Sequence, residues 1–196
     1  MLSLNNDCEF IVLSEGHLIS GFDCGNEDLN DFFNREAILY KRQLLSDTCF
    51  FRHRDSGSAV CAFSFSASSI KTADLPGSRR KKVKDLVPRE KSLKSYPGML
   101  IGRLGVSTAF GGQGVGSQLI DFIKDVCFSN FTYFVRFLLV DAYNEPAVLG
   151  FYQKNDFIPV FSTEEQEKET YQQMPSEPLQ TRYMFYDMIQ LRDKYL

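Results

Sequence analysis

The segment that most narrows the fold is residues 99–127. There Met-Leu-Ile-Gly-Arg-Leu-Gly-Val runs into Ser-Thr-Ala-Phe-Gly-Gly-Gln-Gly-Val-Gly and then into an apolar-periodic stretch. A β-prone run feeds a glycine-dense turn, and the turn opens an amphipathic helix beginning near Ser117. On that helix Val115, Leu119, Phe122 and Val126 share a stripe, with Ile120, Ile123 and Cys127 beside it. Such a turn suits a phosphate-bearing ligand, because glycines let backbone N–H groups converge on an anion and the helix N-terminus adds partial positive charge. A tight turn with no ligand is the alternative reading of the same residues. Two nucleotide motifs are excluded: the loop lacks the Lys-Ser/Thr pair of a Walker A motif, and Gly112-x-Gly114-x-Gly116 has the wrong spacing for a dinucleotide fingerprint.

The rest of the chain frames this segment. At 196 residues, 43% hydrophobic and 24% charged, the composition predicts one globular domain, residues 1–196. A net charge of -3 offers no global argument for nucleic acid or a membrane, and no apolar run nears the roughly 18 residues of a bilayer span. Five cysteines, widely spaced and without a Cys-x-x-Cys pair, point to neither a disulfide framework nor a metal site. They predict reduced, mostly buried thiols in a cytoplasmic protein without a leader segment.

In chain order, Cys8 to Leu13 predicts a first strand, and Asn26 caps a helix expected over residues 27–45. Two β-prone runs, residues 48–52 and 58–65, flank Asp55-Ser-Gly57 and predict an antiparallel hairpin. Between Ile70 and Pro97 the periodicity fails, which predicts a long surface connection with a short helix near residues 83–94. At its centre Arg79, Arg80, Lys81 and Lys82 form a cationic run, either a solvated loop or a contact for phosphates. Residues 137–140 read as a buried strand, Asn144 as the cap of a helix with Pro146 in its first turn, and residues 157–161 as a strand. Residues 162–178, polar and acidic, predict a solvated insertion before a last strand over residues 181–188. His17 and His53 read as structural or surface residues.

Two blocks in this order resemble the GNAT superfamily of acyl-CoA-dependent N-acetyltransferases. Gly111-Gly-Gln-Gly114-Val-Gly116, preceded by Arg103-Leu-Gly-Val106, is similar to the family's pyrophosphate-binding signature after the fourth strand. Residues 140–157, Val-Asp-Ala-Tyr-Asn-Glu-Pro-Ala-Val-Leu-Gly-Phe-Tyr-Gln-Lys-Asn-Asp-Phe, resemble its fifth strand and following helix. The resemblance covers roughly residues 8–188. It implies an α/β fold with a central mixed, mostly antiparallel sheet, flanked by helices and splayed between the fourth and fifth strands. Phe22-Asp-Cys-Gly25, Leu29-Asn30, Phe32-Phe33, Gly102 to Val106 and the Ala147 to Tyr152 helix further resemble the subgroup containing toxins of type II toxin–antitoxin systems, which acetylate the amine of aminoacyl-tRNA. Two positions depart from the family pattern. Gly111 stands where Gln or Arg is usual, and Asp156 replaces the glycine after the second helix, where aspartate still tolerates a left-handed backbone.

The resemblance implies acetyl transfer from acetyl-CoA to a primary amine. Leu104, Gly105 and Val106 would offer backbone groups to the acetyl and pantetheine, while Gly111, Gly112, Gln113, Gly114, Val115, Gly116 and Ser117 would hold the cofactor. Tyr152 would protonate the leaving thiolate, its bland rival being a core aromatic; Asn144 is a helix cap that also contacts pantetheine, or a cap alone. Arg79, Arg80, Lys81 and Lys82 would meet tRNA. The acceptor is first the α-amine of aminoacyl-tRNA, with a small-molecule or protein amine, or a non-catalytic acyl-CoA-binding module, as alternatives. An antitoxin partner and a homodimer are left open; no metal or membrane is expected. No residue stands out as a general base, which favours an α-amine of pKa about 8 over a lysine near 10.4, or a base acting through water.

Overall fold

In the computed structural model, which describes residues 2–73, 75, 77–85, 94–129, 135–171, 174 and 176–192, strands and helices alternate as the patterning expects. The order is α1 (Leu4–Asp7), β1 (Cys8–Val12), α2 (Glu27–Asp31), α3 (Ala37–Arg42), β2 (Asp47–His53), β3 (Ala59–Lys71), α4 (Gly77–Asp85), β4 (Ser95–Val106), α5 (Val115–Ser129), β5 (Phe137–Tyr143), α6 (Pro146–Lys154), β6 (Ile158–Pro159), α7 (Glu164–Tyr171) and β7 (Thr181–Asp187). The strands form a seven-stranded sheet in the order β1-β2-β3-β4-β5-β7-β6, mixed because β4 and β5 run parallel. This is the α/β class that the resemblance implies. The chain divides into two compact units, Met1–Ala67 with Ile101–Ser129, and Ser68–Leu100 with Asn130–Leu196.

In the first unit β1, β2 and β3 pair antiparallel. The expected hairpin closes where Gly57, at φ 71°, donates to the His53 carbonyl and His53 donates to Ser58. Asn26 caps α2 as expected, its Oδ1 accepting the Leu29 N–H at 3.1 Å. The single helix expected over residues 27–45 is instead α2, a π-helical turn at Phe32–Glu36, and α3. The turn's extra residue lets Asn34 accept from the Phe22 N–H (3.0 Å) and donate to the Phe22 carbonyl (2.8 Å), so a side chain completes the hydrogen bonds of an extended backbone. The helix ends at Arg42 because Leu44 adopts φ 57°; Leu44 is 93% exposed, and Leu45, expected on the helix, is exposed too. Phe22, Phe32 and Phe33 meet edge-to-face at 5.4 Å and seat this segment in a core with Ile11, Leu13 and Phe50. α5 buries Leu119, Ile120, Ile123 and Cys127, while Phe122 lies against Phe51 at 4.8 Å. Val126, expected on the buried stripe, is half-buried at its margin. The one-turn α1 carries no pattern long enough to foresee; Gln118 of α5 holds it through the Leu4 N–H and the Leu2 carbonyl.

In the second unit β5 and β7 pair over seven residues, from Phe137↔Asp187 to Tyr143↔Thr181. The core gathers Ile70, Tyr96, Phe137, Leu139, Phe161 and Phe185. Four expectations are corrected here. β3 runs on to Lys71, so Ile70 is a core strand residue rather than the start of a loop, and the Thr72 N–H and hydroxyl close on the Lys94 carbonyl. The short helix expected near residues 83–94 is α4, six residues earlier, anchored by buried Val83; the rest of the expected span, residues 86–93, lies outside the described residues. The insertion of residues 162–178, expected to be solvated, contains α7, because Glu167 is buried against Arg182 (2.6 Å) and accepts the Tyr183 N–H (2.7 Å). The expected strand over residues 157–161 contracts to β6, paired with β7. No helix of the described residues is long and apolar enough to cross a membrane.

Candidate functional site

The loop after β4 begins with a 3-10 turn, Thr108–Phe110. Gly111 follows in an extended conformation open to any residue, at φ -61° and ψ 156°. Gly112 and Gly114 have φ of 71° and 77°, a left-handed backbone that L side chains adopt at a cost. A Cβ at either would meet nothing within 4 Å, so backbone conformation selects glycine there and the space above the loop is open. Gln118 is the residue whose N–H bonds back to the Gly114 carbonyl (3.2 Å). The N–H groups of Gly114, Val115, Gly116 and Ser117 therefore lack acceptors within the helix. Donors left over at a helix N-terminus beneath open space, with the helix dipole behind them, are groups that an anion could satisfy. Gln113 stands half-buried in this loop.

The strand end that leads into the loop is braced by the Phe22 to Gly25 turn. Asp23 Oδ1 accepts from the Gly25 N–H (2.9 Å) and Asn30 Nδ2 (2.8 Å), which hold its carboxyl below the ordinary aspartate range. Cys24 donates its N–H to Asn30 Oδ1 at 2.8 Å. The Asp23 carbonyl accepts the Thr108 N–H at 2.9 Å, so the turn is tied to the first residue of the loop. A Cβ on Gly105 would sit 3.2 Å from Cys24 Sγ and from the Phe22 ring, so a side chain there would need these neighbours to give by a few tenths of an ångström. Leu104 and Val106 are half-buried beside it. Sequence reading cited the two segments together in one resemblance, but their contact, some 80 residues apart in the chain, had no local signal.

In the second unit Tyr152 lies on α6, 8% exposed, with its ring 5.1 Å from Phe151 and 5.4 Å from Phe157. Burial alone pushes its phenol up from the ordinary value, so the group is neutral. Asp156 takes φ 66°, the left-handed turn that the substitution for glycine was expected to allow. Asn144 is not the cap of α6. Glu145 holds that position without a side-chain bond, and Pro146 opens the helix as expected. The Asn144 amide is spent elsewhere, donating to Glu164 Oε2 (3.1 Å) and to the Leu179 carbonyl (3.0 Å). Glu164, which sequence reading missed, also accepts from the Leu179 N–H (2.8 Å) and Lys168 (3.1 Å), and these bonds hold its carboxyl at about 2. An i, i+4 Glu164/Lys168 spacing was the one local clue.

The cationic run falls on α4. Arg80 and Lys81 are exposed, though the Arg80 guanidinium is tied to the carbonyls of Ala73 (3.2 Å) and Leu75 (3.1 Å). The side chains of Arg79 and Lys82 lie outside the described residues. All five cysteines are free thiols, four of them buried. His53 accepts the Ser56 N–H and stacks on Phe110, and His17 is exposed. Among the described residues no cluster of three or more His, Cys, Asp or Glu could hold a metal ion.

A parallel β4-β5 pair followed by a glycine cradle at a helix N-terminus defines the class, and the chain belongs to the GNAT acetyltransferase family. The family model for the acetyltransferase (GNAT) family matches residues 85–157. A tRNA-acetylating toxin of Mycobacterium tuberculosis is 30% identical over 146 residues, 74% of this chain and 81% of the relative. Among solved structures, AtaT complexed with acetyl-methionyl-tRNAfMet superposes with a TM-score of 0.71 at 22% identity, covering 97% of this chain and 100% of that one. A tyrosine-to-phenylalanine mutant of the AtaT toxin, bound to the C-terminus of the antitoxin AtaR and acetyl-CoA, gives 0.67 at 18% identity, covering 97% and 99%. The protein is an acyltransferase of this family, similar to tRNA-acetylating toxins.

Proposed function

We propose that this acetyltransferase takes its acetyl group from acetyl-CoA and delivers it to the α-amine of an aminoacyl-tRNA, working as one domain. The observation that carries the reading is the loop at residues 108–116. Two left-handed glycines and four N–H groups without helical acceptors, under open space, suit a pyrophosphate. Acetyl-CoA, when bound, supplies a thioester carbonyl whose C–S bond breaks as the acceptor nitrogen forms the new C–N bond. Leu104, Gly105 and Val106 offer main-chain groups to the acetyl and pantetheine, and residues 111–117 hold the pyrophosphate. Asn144 accepts from a pantetheine amide. Tyr152, neutral because it is buried, gives its phenolic proton to the departing thiolate and is reprotonated, through water, by the proton that the acceptor nitrogen loses as it becomes the amide. The acceptor must present a neutral amine, and an α-amine of pKa about 8 does so without a dedicated base.

The acceptor rests on three supports: the tRNA-acetylating relative, the AtaT complex with acetyl-methionyl-tRNAfMet, and the cationic residues of α4. An antitoxin chain is the proposed partner, as AtaR is for AtaT. The test is transfer from labelled acetyl-CoA to charged tRNA, uncharged tRNA, peptides and polyamines, with label expected on charged tRNA. Charge reversal at Arg79, Lys81 and Lys82, sparing Arg80 because it ties down its own loop, should lower tRNA acetylation steeply and salt-dependently while acetyl-CoA binding stays unchanged. Unaltered tRNA acetylation would remove α4 from the reading. A second reading, a small polycationic amine, is favoured by a cavity of about 750 Å³ lined by Asp141, Glu167, Tyr171, Met174 and Glu177; label on polyamines alone selects it.

A further inference from the structure

Asn144 sits at the junction of β5 and α6, where its main-chain N–H donates to the Gln180 carbonyl at 2.9 Å. Its side-chain nitrogen donates to two groups that are acceptors only, the Glu164 carboxylate and the Leu179 carbonyl. Both amide hydrogens are therefore used, and the orientation of the amide follows from its partners. Oδ1 is left as the acceptor that Asn144 presents. Glu164 is itself fixed by the Leu179 N–H and Lys168, and stays ionised across the working range because those bonds hold its carboxyl at about 2. If Glu164 were removed, the Leu179 N–H would lose its acceptor and Asn144 could turn its own Oδ1 to it. Asn144 would then present a donor instead of an acceptor.

We propose that Glu164, on the inserted helix α7, is a positioning residue for the acyl donor. It locks the Asn144 amide so that Oδ1 meets an amide N–H of the pantetheine arm. This rests on the reading of Asn144 as a donor contact, and α7 becomes part of the binding machinery although its own residues need not touch the ligand.

The experiment measures calorimetric binding of acetyl-CoA and of adenosine 3′,5′-bisphosphate, the nucleotide portion that lacks pantetheine, to the full chain. Glu164→Ala should weaken acetyl-CoA about tenfold, the loss of roughly one oriented hydrogen bond, and leave the bisphosphate unchanged. Glu164→Gln, which keeps one acceptor oxygen and serves if the alanine variant does not fold, should weaken acetyl-CoA about threefold. The double variant Asn144→Ala/Glu164→Ala should bind no more weakly than Asn144→Ala alone. Unchanged acetyl-CoA binding, equal weakening of both ligands, or additive losses in the double variant would each overturn the role of Glu164. Failure of the unsubstituted chain to bind acetyl-CoA would instead overturn the donor reading, and this proposal with it.

Discussion

Gly105 and Gly114 belong to the same segment, yet different forces exclude a side chain at each. At Gly105 a Cβ would press on Cys24 and Phe22 at 3.2 Å, so Gly105→Ala should cost about 1 kcal/mol through overpacking. At Gly114 the space is free and the φ of 77° is the obstacle, so Gly114→Ala should cost about 1–2 kcal/mol and weaken acetyl-CoA binding as well. Urea denaturation and calorimetry separate the two outcomes; a Gly114→Ala protein as stable as the parent would show that the loop relaxes. Tyr152→Phe keeps the ring and its contacts with Phe151 and Phe157. It should retain the fold and acetyl-CoA binding while lowering turnover by about 10²–10⁴-fold, the usual worth of a positioned proton donor. Unchanged turnover would make Tyr152 a core aromatic.

The insertion shows how far an element can depart from its composition. Residues 162–178 are acidic and polar, yet α7 buries Glu167 at 2% exposure against Arg182. Desolvation raises the Glu167 carboxyl above its ordinary value in spite of Arg182, so the pair is held by geometry rather than by a large net gain. Arg182→Met should cost about 3–5 kcal/mol because it strands a buried carboxylate, whereas Arg182→Met with Glu167→Leu should recover most of it. Equal denaturation midpoints for parent and single variant would overturn the buried-pair account. The segment over residues 27–45 teaches the same lesson on a smaller scale. Its apolar spacing was legible as a helix, but the π-helical turn follows from Asn34 bonding the backbone of Phe22, a partner twelve residues away that helical periodicity does not contain.

At the scale of the molecule, alkaline pH probes the core. Burial pushes the thiols of Cys49 and Cys127 from 9.0 up to about 12 and raises Cys61 and Tyr152 as well. The folded chain keeps these protons where the unfolded chain releases them, so stability is full below pH 9.0 and falls as pH rises toward the folded values. The slope is up to about 1.4 kcal/mol per pH unit for each such thiol. Thermal melts from pH 7 to 11 should show the decline, and Cys127→Ala should lessen it; a flat profile would contradict thiols buried this deeply. The sequence by itself determined the alternation of strands and helices, the β2–β3 hairpin, the buried thiols, the left-handed Asp156 and the glycine turn ahead of α5. Each of these depends on neighbouring residues, whose sterics and hydrophobic spacing act within a few positions of the chain. Only the tertiary structure decided that Gly105 is crowded by Cys24 and Phe22, that Asn144 serves Glu164 instead of capping α6, and that α7 is anchored by a buried ion pair. Those outcomes depend on partners between 15 and 83 positions away, and a hydrogen bond or a packing contact exists only once folding brings both partners to the same place.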